Sequence, residues 1–334
     1  MIHNLDLLRE VEDHHRKNCE LYGIFSSQEF PNFRTVRELE DFPFIPVAAF
    51  KHHLLKSVPD DEVFRVLSSS GTSGAKSQIY LDKTTARLQA ANLAESLIQE
   101  FGGARVPMVF VQEDGSASEE FTASKAAMNG FSMMATNSLE ISPIPTEQNL
   151  MALKDIVSSG ATSQVMIFGF TYNIWKLLLN LEELGFSKLL PNSAVLHGGG
   201  WKKLVAEQVS QTTFIDKASR ILGTSRVTNY YGLVEQTGSI FLECVQGNMH
   251  EPNNGAVLIR DDRTLVPVGP GIEGLVQVIS SIQKSYPGHS ILTEDIGYWL
   301  PPSHCDCGNP ARILKVIGRA IGAEIRGCSD AQLS

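Results

Sequence analysis

The chain has 334 residues, 43% hydrophobic and 19% charged, with a formal net charge of −9 at pH 7. That length supports a large core in one α/β domain or two smaller ones, and the ordinary composition excludes long disordered tracts. The acidic balance excludes a nucleic-acid footprint, five cysteines in so long a chain exclude a disulfide scaffold, and no apolar run approaches the length of a membrane span.

The opening stretch, MIHNLDLLREVEDHHRK, is charged and amphipathic and lacks the character of a signal or transit peptide, so a cytoplasmic location with reduced thiols is expected. Leu5, Leu8, Val11 and Leu21 recur at helical spacing and predict a packing helix over 2–22. Pro43 and Pro46 make DFPFIPVAAFKHHLL extended, with Phe44, Ile45 and Val47 docked on the core. His52 and His53, beside Lys51 and without a carboxylate partner in sequence, read as solvated.

The stretch VLSSSGTSGAKSQIYL follows. It reads as a strand over 63–67, a loop of small residues, and an extended run over 78–81. A loop with so little side-chain bulk can turn its N–H groups inward around an anion. Ser69, Ser70, Thr72 and Ser73 add hydroxyls, Gly71 and Gly74 add freedom, and Lys76 adds a cation. The order G-x-x-G-x-K-S is not that of a Walker A loop. Taken alone, the run is equally readable as a flexible surface loop.

Asp82 is placed to cap a helix whose buried stripe is Leu88, Ala91, Ala94, Leu97, Ile98 and Phe101, ended by Gly102-Gly103. Strands are expected over 106–111, 164–168, 194–197, 226–231 and 239–244. A helix-like run is expected over 121–134, and a further helix over 172–184. The alternation predicts an α/β fold of mostly parallel sheets flanked by helices, with ligands gathered beyond the strand C-terminal ends. The loops at 68–77, 168–171, 198–202 and 231–237 are then expected to share one rim. From about Asn253, short β-runs over 256–259, 274–280 and 313–317 alternate with Pro/Gly turns. The expected organisation is therefore an α/β core over 1–252, a β-rich subdomain of the same domain over 253–320, and a mobile tail over 321–334.

Phe168, Gly169, Phe170, Thr171, His197 and Tyr230 are candidates to line an apolar pocket, with core packing an equal alternative. Cys244, His250, Cys305 and Cys307 have the spacings C-x5-H and C-x-C. Three thiolates and an imidazole suit a closed tetrahedral Zn²⁺ site, with His304 a rival ligand and free thiols the other reading.

Four ordered stretches resemble the adenylate-forming superfamily: SSSGTSGAKS, LHGGGWK, NYYGLVEQTGSIF and LTEDIG, followed by Gly318-Arg319. Within it, IPVAAFKHHLL, HGGGWKK, YYGLVEQTGSIFLEC and EIRGCSD are similar to the LuxE acyl-protein synthetase family, which is related to phenylacetate–CoA ligases. The resemblance covers most of the chain. It implies the large N-terminal domain of an adenylate-forming enzyme without the small C-terminal domain. It implies ATP and Mg²⁺, with Ser69 to Gly74 and Lys76 on the phosphates and Gly198, Gly199 and Gly200 packed on adenine. Tyr230, Tyr231 and Gly232 would lead to Glu235 as the Mg²⁺ carboxylate, and Thr237 would stand near the α-phosphate. Asp295 would hold the ribose hydroxyls, and Arg319 would reach ribose or phosphate. The C-x-C segment resembles a zinc knuckle of phenylacetate–CoA ligase relatives. Cys328 is implied as the acyl acceptor, a carboxylic acid as substrate, and a LuxC-type acyl reductase as partner. A phenylacetate-type acid–CoA ligase and a nucleotide-binding scaffold without activity are the alternative readings.

Overall fold

Runs without a solvent face, such as VMIFGF and SAVLHG, need cover on both sides and so belong in the middle of a layered sheet. The computed structural model, which describes residues 5–69, 76–102, 105–113, 128, 131–132, 135–159, 164–201 and 207–320, puts them there. The parallel part of the main sheet is built from β4 (Val106–Val111), β5 (Ala135–Ile141), β6 (Val165–Phe170), β7 (Ser193–Gly198) and β8 (Val227–Tyr231), in the order β5-β4-β6-β7-β8. The helices Thr171–Glu183 and Gln211–Ile221 cover one face, where Trp175, Leu178 and Phe214 meet Val195 and Ile167. The helix Lys83–Phe101 covers the other through Leu93 and Leu97, against Met108, Phe168 and Leu196. Asp82 caps it as expected, its Oδ1 accepting from the Thr85 N–H at 2.8 Å.

Beyond β8 the direction of pairing changes. β9 (Phe241–Glu243), β10 (Met249–His250), β11 (Gly255–Arg260), β12 (Gly274–Ser280), β13 (Ser290–Leu300) and β14 (Ile313–Arg319) continue the same sheet in antiparallel fashion, in the order β8-β9-β10-β14-β13-β12-β11. The segment from 253 onward is thus hydrogen-bonded into the sheet that carries the α/β part, through β10 and β14. The short β1 (Ile45–Pro46) runs parallel to β13, and Phe44, Ile45 and Val47 are buried as the proline pattern implied. His52 and His53 are exposed.

Three features differ from the sequence reading. The helix expected over 2–22 is two helices, Leu5–Asn18 and Glu20–Glu29, turned at Cys19. Tertiary contacts override the periodicity: Arg16 reaches back to the carbonyls of Ser26 at 2.9 Å and Phe30 at 2.7 Å, ending the second helix. The strand β5 and the helix Glu147–Ser159 are not among the expected elements, although Leu150, Leu153 and Ile156 of that helix recur at helical spacing and pack in the core. The hydroxyl-rich loop does not leave a strand of the main sheet. It joins β2 (Arg65–Ser68) and β3 (Gln78–Leu81), a separate two-stranded antiparallel ribbon. Most of the 121–134 run lies outside the described residues, although Met128 and Phe131 are buried.

Candidate active site and metal cluster

Parallel strands end on the same side of a sheet, so the residues just after β6, β7 and β8 form one rim. After β8, Tyr231 and Gly232 lead into a 3₁₀ turn, Val234–Gln236, which carries the buried Glu235. This turn is anchored from below. The Gln236 amide donates to the carbonyls of Val278 at 3.0 Å and Gly288 at 2.9 Å, and the Thr237 hydroxyl donates to the Val234 carbonyl at 3.0 Å. Gly238, at φ +89°, passes so near the helix behind it that a Cβ would stand 2.6 Å from the Gln89 backbone.

The antiparallel part supplies charge to the same place. Asp295 on β13 is 1% exposed and faces Arg319, its register partner on β14, with Oδ1 at 3.4 Å from Nη1. The Tyr231 hydroxyl donates to Asp295 Oδ2 at 2.7 Å. Burial first, and then the Asp295 charge, push the Tyr231 phenol well above its usual range, so it stays a neutral donor. Arg319 also pairs with Glu294 at 2.6 Å. Three segments far apart in sequence, 229–241, 292–297 and 318–319, therefore meet.

The ribbon joins them from a third side. Leu67, Ile79 and Leu81 share a core cluster with Tyr231, Leu233, Val234 and Ile291. The neck of the hydroxyl loop is closed by the Ser69 N–H on the Ser77 carbonyl at 3.1 Å and the Ser77 N–H on Ser69 Oγ at 3.0 Å. Lys76 stands half-buried at this neck. Ser70, Gly71, Thr72, Ser73, Gly74 and Cys328 lie outside the described residues.

On one face of the rim, Tyr230 stacks on Phe168 at 6.1 Å between ring centroids, and Phe131 meets both. Gly198 is required here, because a Cβ would stand 2.4 Å from the Tyr230 ring. Phe170, Tyr230, Gly232 and Thr237 line a small cavity of about 40 Å³ together with Leu93 and Ile240. A larger bay, about 520 Å³ between Glu29 and Asp41, contains none of the candidate residues.

His197 is not part of that face and takes the core-packing alternative. Side chains alternate along a strand, so Leu196 and His197 point to opposite faces of β7. The His197 ring stacks on Phe214 at 4.7 Å, and its Nδ1 meets Thr171 Oγ1 at 2.9 Å. Burial lowers its pKa to about 3, so it is neutral.

At the far end of the β13–β14 hairpin, the ligand atoms of Cys244, His250, Cys305 and Cys307 all lie within 4.8 Å of one another. Cys244 and Cys305 sulfurs are 3.6 Å apart, and Cys307 Sγ is 3.3 Å from His250 Nε2. The other nitrogen, Nδ1, is 3.1 Å from the Ala311 carbonyl, which fixes the tautomer that turns Nε2 inward. N–H groups of Gln246 and Asn309 donate to the sulfurs of Cys244 and Cys307, and the Asn248 amide donates to that of Cys305. This donor set and spacing fit a tetrahedral Zn²⁺. His304 is exposed and outside the cluster.

Sequence reasoning did not single out Gln236 or the hydroxyl of Thr171 for these anchoring bonds. A glutamine after a motif glutamate carries no signal of its own; only the fold shows what it reaches.

Solved structures share this architecture. A 2-hydroxyisobutyryl-CoA ligase, crystallised in an open conformation with 2-HIB-AMP and CoA, superposes with a TM-score of 0.73 at 16% identity, covering 94% of this chain and 68% of that one. ATP-bound MatB from Rhodopseudomonas palustris gives 0.51 at 14% identity, over 79% of this chain and 49% of that one. The fold is that of the adenylate-forming CoA ligases. A family profile described as "Acyl-protein synthetase, LuxE" matches residues 1–333, and the chain belongs to that family. The long-chain-fatty-acid–luciferin-component ligase of Vibrio harveyi is 23% identical over 329 residues, 95% of this chain and 82% of that protein. The phenylacetate-coenzyme A ligase of Thermus thermophilus is 26% identical over 298 residues, 86% of this chain and 62% of that protein. The chain is thus a ligase of the acid-activating, adenylate-forming kind. Among the described residues, no helix is long and apolar enough to cross a membrane.

Proposed function

We propose that this chain activates a carboxylic acid with ATP and then carries the acyl group on its own Cys328. The observation that supports this most is the meeting of Tyr231, Asp295 and Arg319 beside the Glu235 turn. A carboxylate is a poor acyl donor because its leaving group would be oxide. In the first step a carboxylate oxygen attacks the α-phosphorus of ATP, and the bond to pyrophosphate breaks. The departing charge needs neutralising. Lys76, Ser69 and the loop from Ser70 to Gly74 hold the β- and γ-phosphates in this reading, and Glu235 offers the oxygen donor that Mg²⁺ prefers. The Gly198–Gly200 turn packs on adenine, Asp295 accepts from the ribose hydroxyls, and Arg319 steadies Asp295. Phe168, Phe170 and Tyr230 shape the acyl side.

In the second step the Cys328 thiolate attacks the acyl carbonyl, the bond to AMP breaks, and a thioester forms. A LuxC-type acyl reductase is the proposed recipient. The Cys244, His250, Cys305 and Cys307 cluster holds a structural Zn²⁺ that ties the β9–β10 turn to the β13–β14 connection.

Intact-mass analysis after incubation with ATP, Mg²⁺ and single acids tests this. The expected result is pyrophosphate release with an acyl adduct on the protein that C328S abolishes. A CoA thioester without adduct overturns the cysteine step in favour of acid–CoA ligation. No pyrophosphate with any fatty, aryl or hydroxy acid overturns the activation itself.

A further inference from the structure

The His197–Thr171 contact lies outside the chemistry assigned so far, yet it touches the glycine turn directly. Thr171 is the first residue of the helix after β6, and Gly198 ends the neighbouring β7. Its hydroxyl therefore stands on the rim between two adjacent strand ends. It donates to the Gly199 carbonyl at 2.7 Å, with the Gly198 carbonyl further off at 3.3 Å. A hydroxyl has one proton. With that proton on Gly199, Thr171 Oγ1 accepts from His197, which fixes the imidazole as the Nδ1–H tautomer at 2.9 Å. The ring is held flat by Phe214, and both Thr171 and His197 are 0% exposed. Among the described residues His197 Nε2 has no hydrogen-bond partner, and the ring's one polar contact there is at Nδ1.

The turn it holds has little freedom left. Gly199 sits at φ +71°, a conformation that L side chains rarely adopt. In a trans peptide the C=O and the following N–H point in opposite directions. Holding the Gly199 carbonyl against Thr171 thus turns the Gly200 N–H away from the helix.

We propose that Thr171, backed by His197, is a positioning residue that aims the Gly199–Gly200 peptide at the nucleotide. This rests on the reading above in which the glycine turn packs on adenine. Calorimetric titration of the full chain with ATP and Mg²⁺ tests it, with pyrophosphate release giving KM for ATP and for the acid separately. T171V removes the hydroxyl and keeps the shape. The expected result is an ATP dissociation constant raised about tenfold, on the order of one buried hydrogen bond with its carbonyl left unpaired, with KM for the acid unchanged. T171S is expected to restore ATP binding to within about twofold, since it keeps the hydroxyl. H197N, which presents an amide N–H near the place of Nδ1–H, is expected to bind ATP better than H197L. If T171V fails to fold, the His197 pair carries the test. Unchanged ATP affinity in folded T171V, or equal affinity in H197N and H197L, overturns the proposal while leaving the activation chemistry standing. Absence of ATP binding by the unsubstituted chain removes both.

Discussion

Among the almost completely buried carboxylates, Glu12 at 0% and Asp295 at 1% exposed are surrounded differently by the protein. Glu12 accepts from the hydroxyls of Tyr22 at 2.6 Å and Ser26 at 2.5 Å, from Arg16 Nε at 2.7 Å and from His289 Nε2 at 2.8 Å. Burial alone would raise its pKa. The hydrogen bond and charge of His289, then Ser26 and Tyr22, overcome that and hold it at about 2. The neighbouring His15, stacked on His289 at 4.8 Å, is driven well below its usual pKa by burial and by the charge of His289. All partners of Glu12 named here belong to the N-terminal helices or to the connection before β13. Asp295 takes its partners from β8 and β14, whose ends border the rim. Either arrangement offsets the desolvation of a buried charge. Only the second stands beside the Glu235 turn, where the proposed function places a nucleotide.

The comparison is sharpest if the two acids are neutralised in turn. D295N keeps the shape and removes the charge. Two ribose hydrogen bonds each weakened by about 1–1.5 kcal/mol predict a roughly 100-fold fall in kcat/KM for ATP. The unfolding midpoint in urea is expected to change little. A loss of stability as large as that for E12Q would place Asp295 with the structural acids. Y231F removes one donor from Asp295, and a smaller fall, about tenfold, is expected in the same assay.

E12Q should do the reverse. A carboxyl held near 2 instead of 4.5 corresponds to about 3 kcal/mol of folding stability at neutral pH. Chemical denaturation is expected to show a loss of that order, with activity per folded molecule preserved. The sign of the pH dependence follows. A depressed folded pKa stabilises above the unfolded value, and that stability is lost as pH falls from about 4.5 toward 2. The unsubstituted chain should therefore lose stability more steeply than E12Q across this window, and parallel curves would refute the assignment. The smallest effect is expected at the metal cluster's bystander: H304A should leave zinc content, measured by plasma mass spectrometry, at the unsubstituted level, whereas C305S should lower it.

Much of the site was legible before any fold. The resemblance carried by the hydroxyl loop, the triple glycine, Tyr231-Gly232 with Glu235, and Asp295 with Arg319 named these stretches as one candidate site, and the fold brings Tyr231, Asp295 and Arg319 together beside the Glu235 turn. The four metal-type ligands were legible through spacing and ligand chemistry. For His197 the sequence left pocket lining and core packing open, because alternation along β7 does not say which of its two faces meets the helices. The break at Cys19 was missed because helical periodicity runs through it, and only the returning contacts of Glu12 and Arg16 oppose it.

Local chemistry, then, was determined by sequence alone: which backbone turns must be glycine, which residues can carry charge, which sulfurs can bind a soft cation. The tertiary structure decided partnership. It joined Tyr231 to Asp295 across 64 positions, gave Thr171 the carbonyl of Gly199, chose His250 over His304, and ran β9 to β14 into one sheet with the parallel strands. The reason is physical. A side chain's type is a property of one residue, but its hydrogen-bond partner and its face are properties of the packed core, in which buried polar groups must find one another.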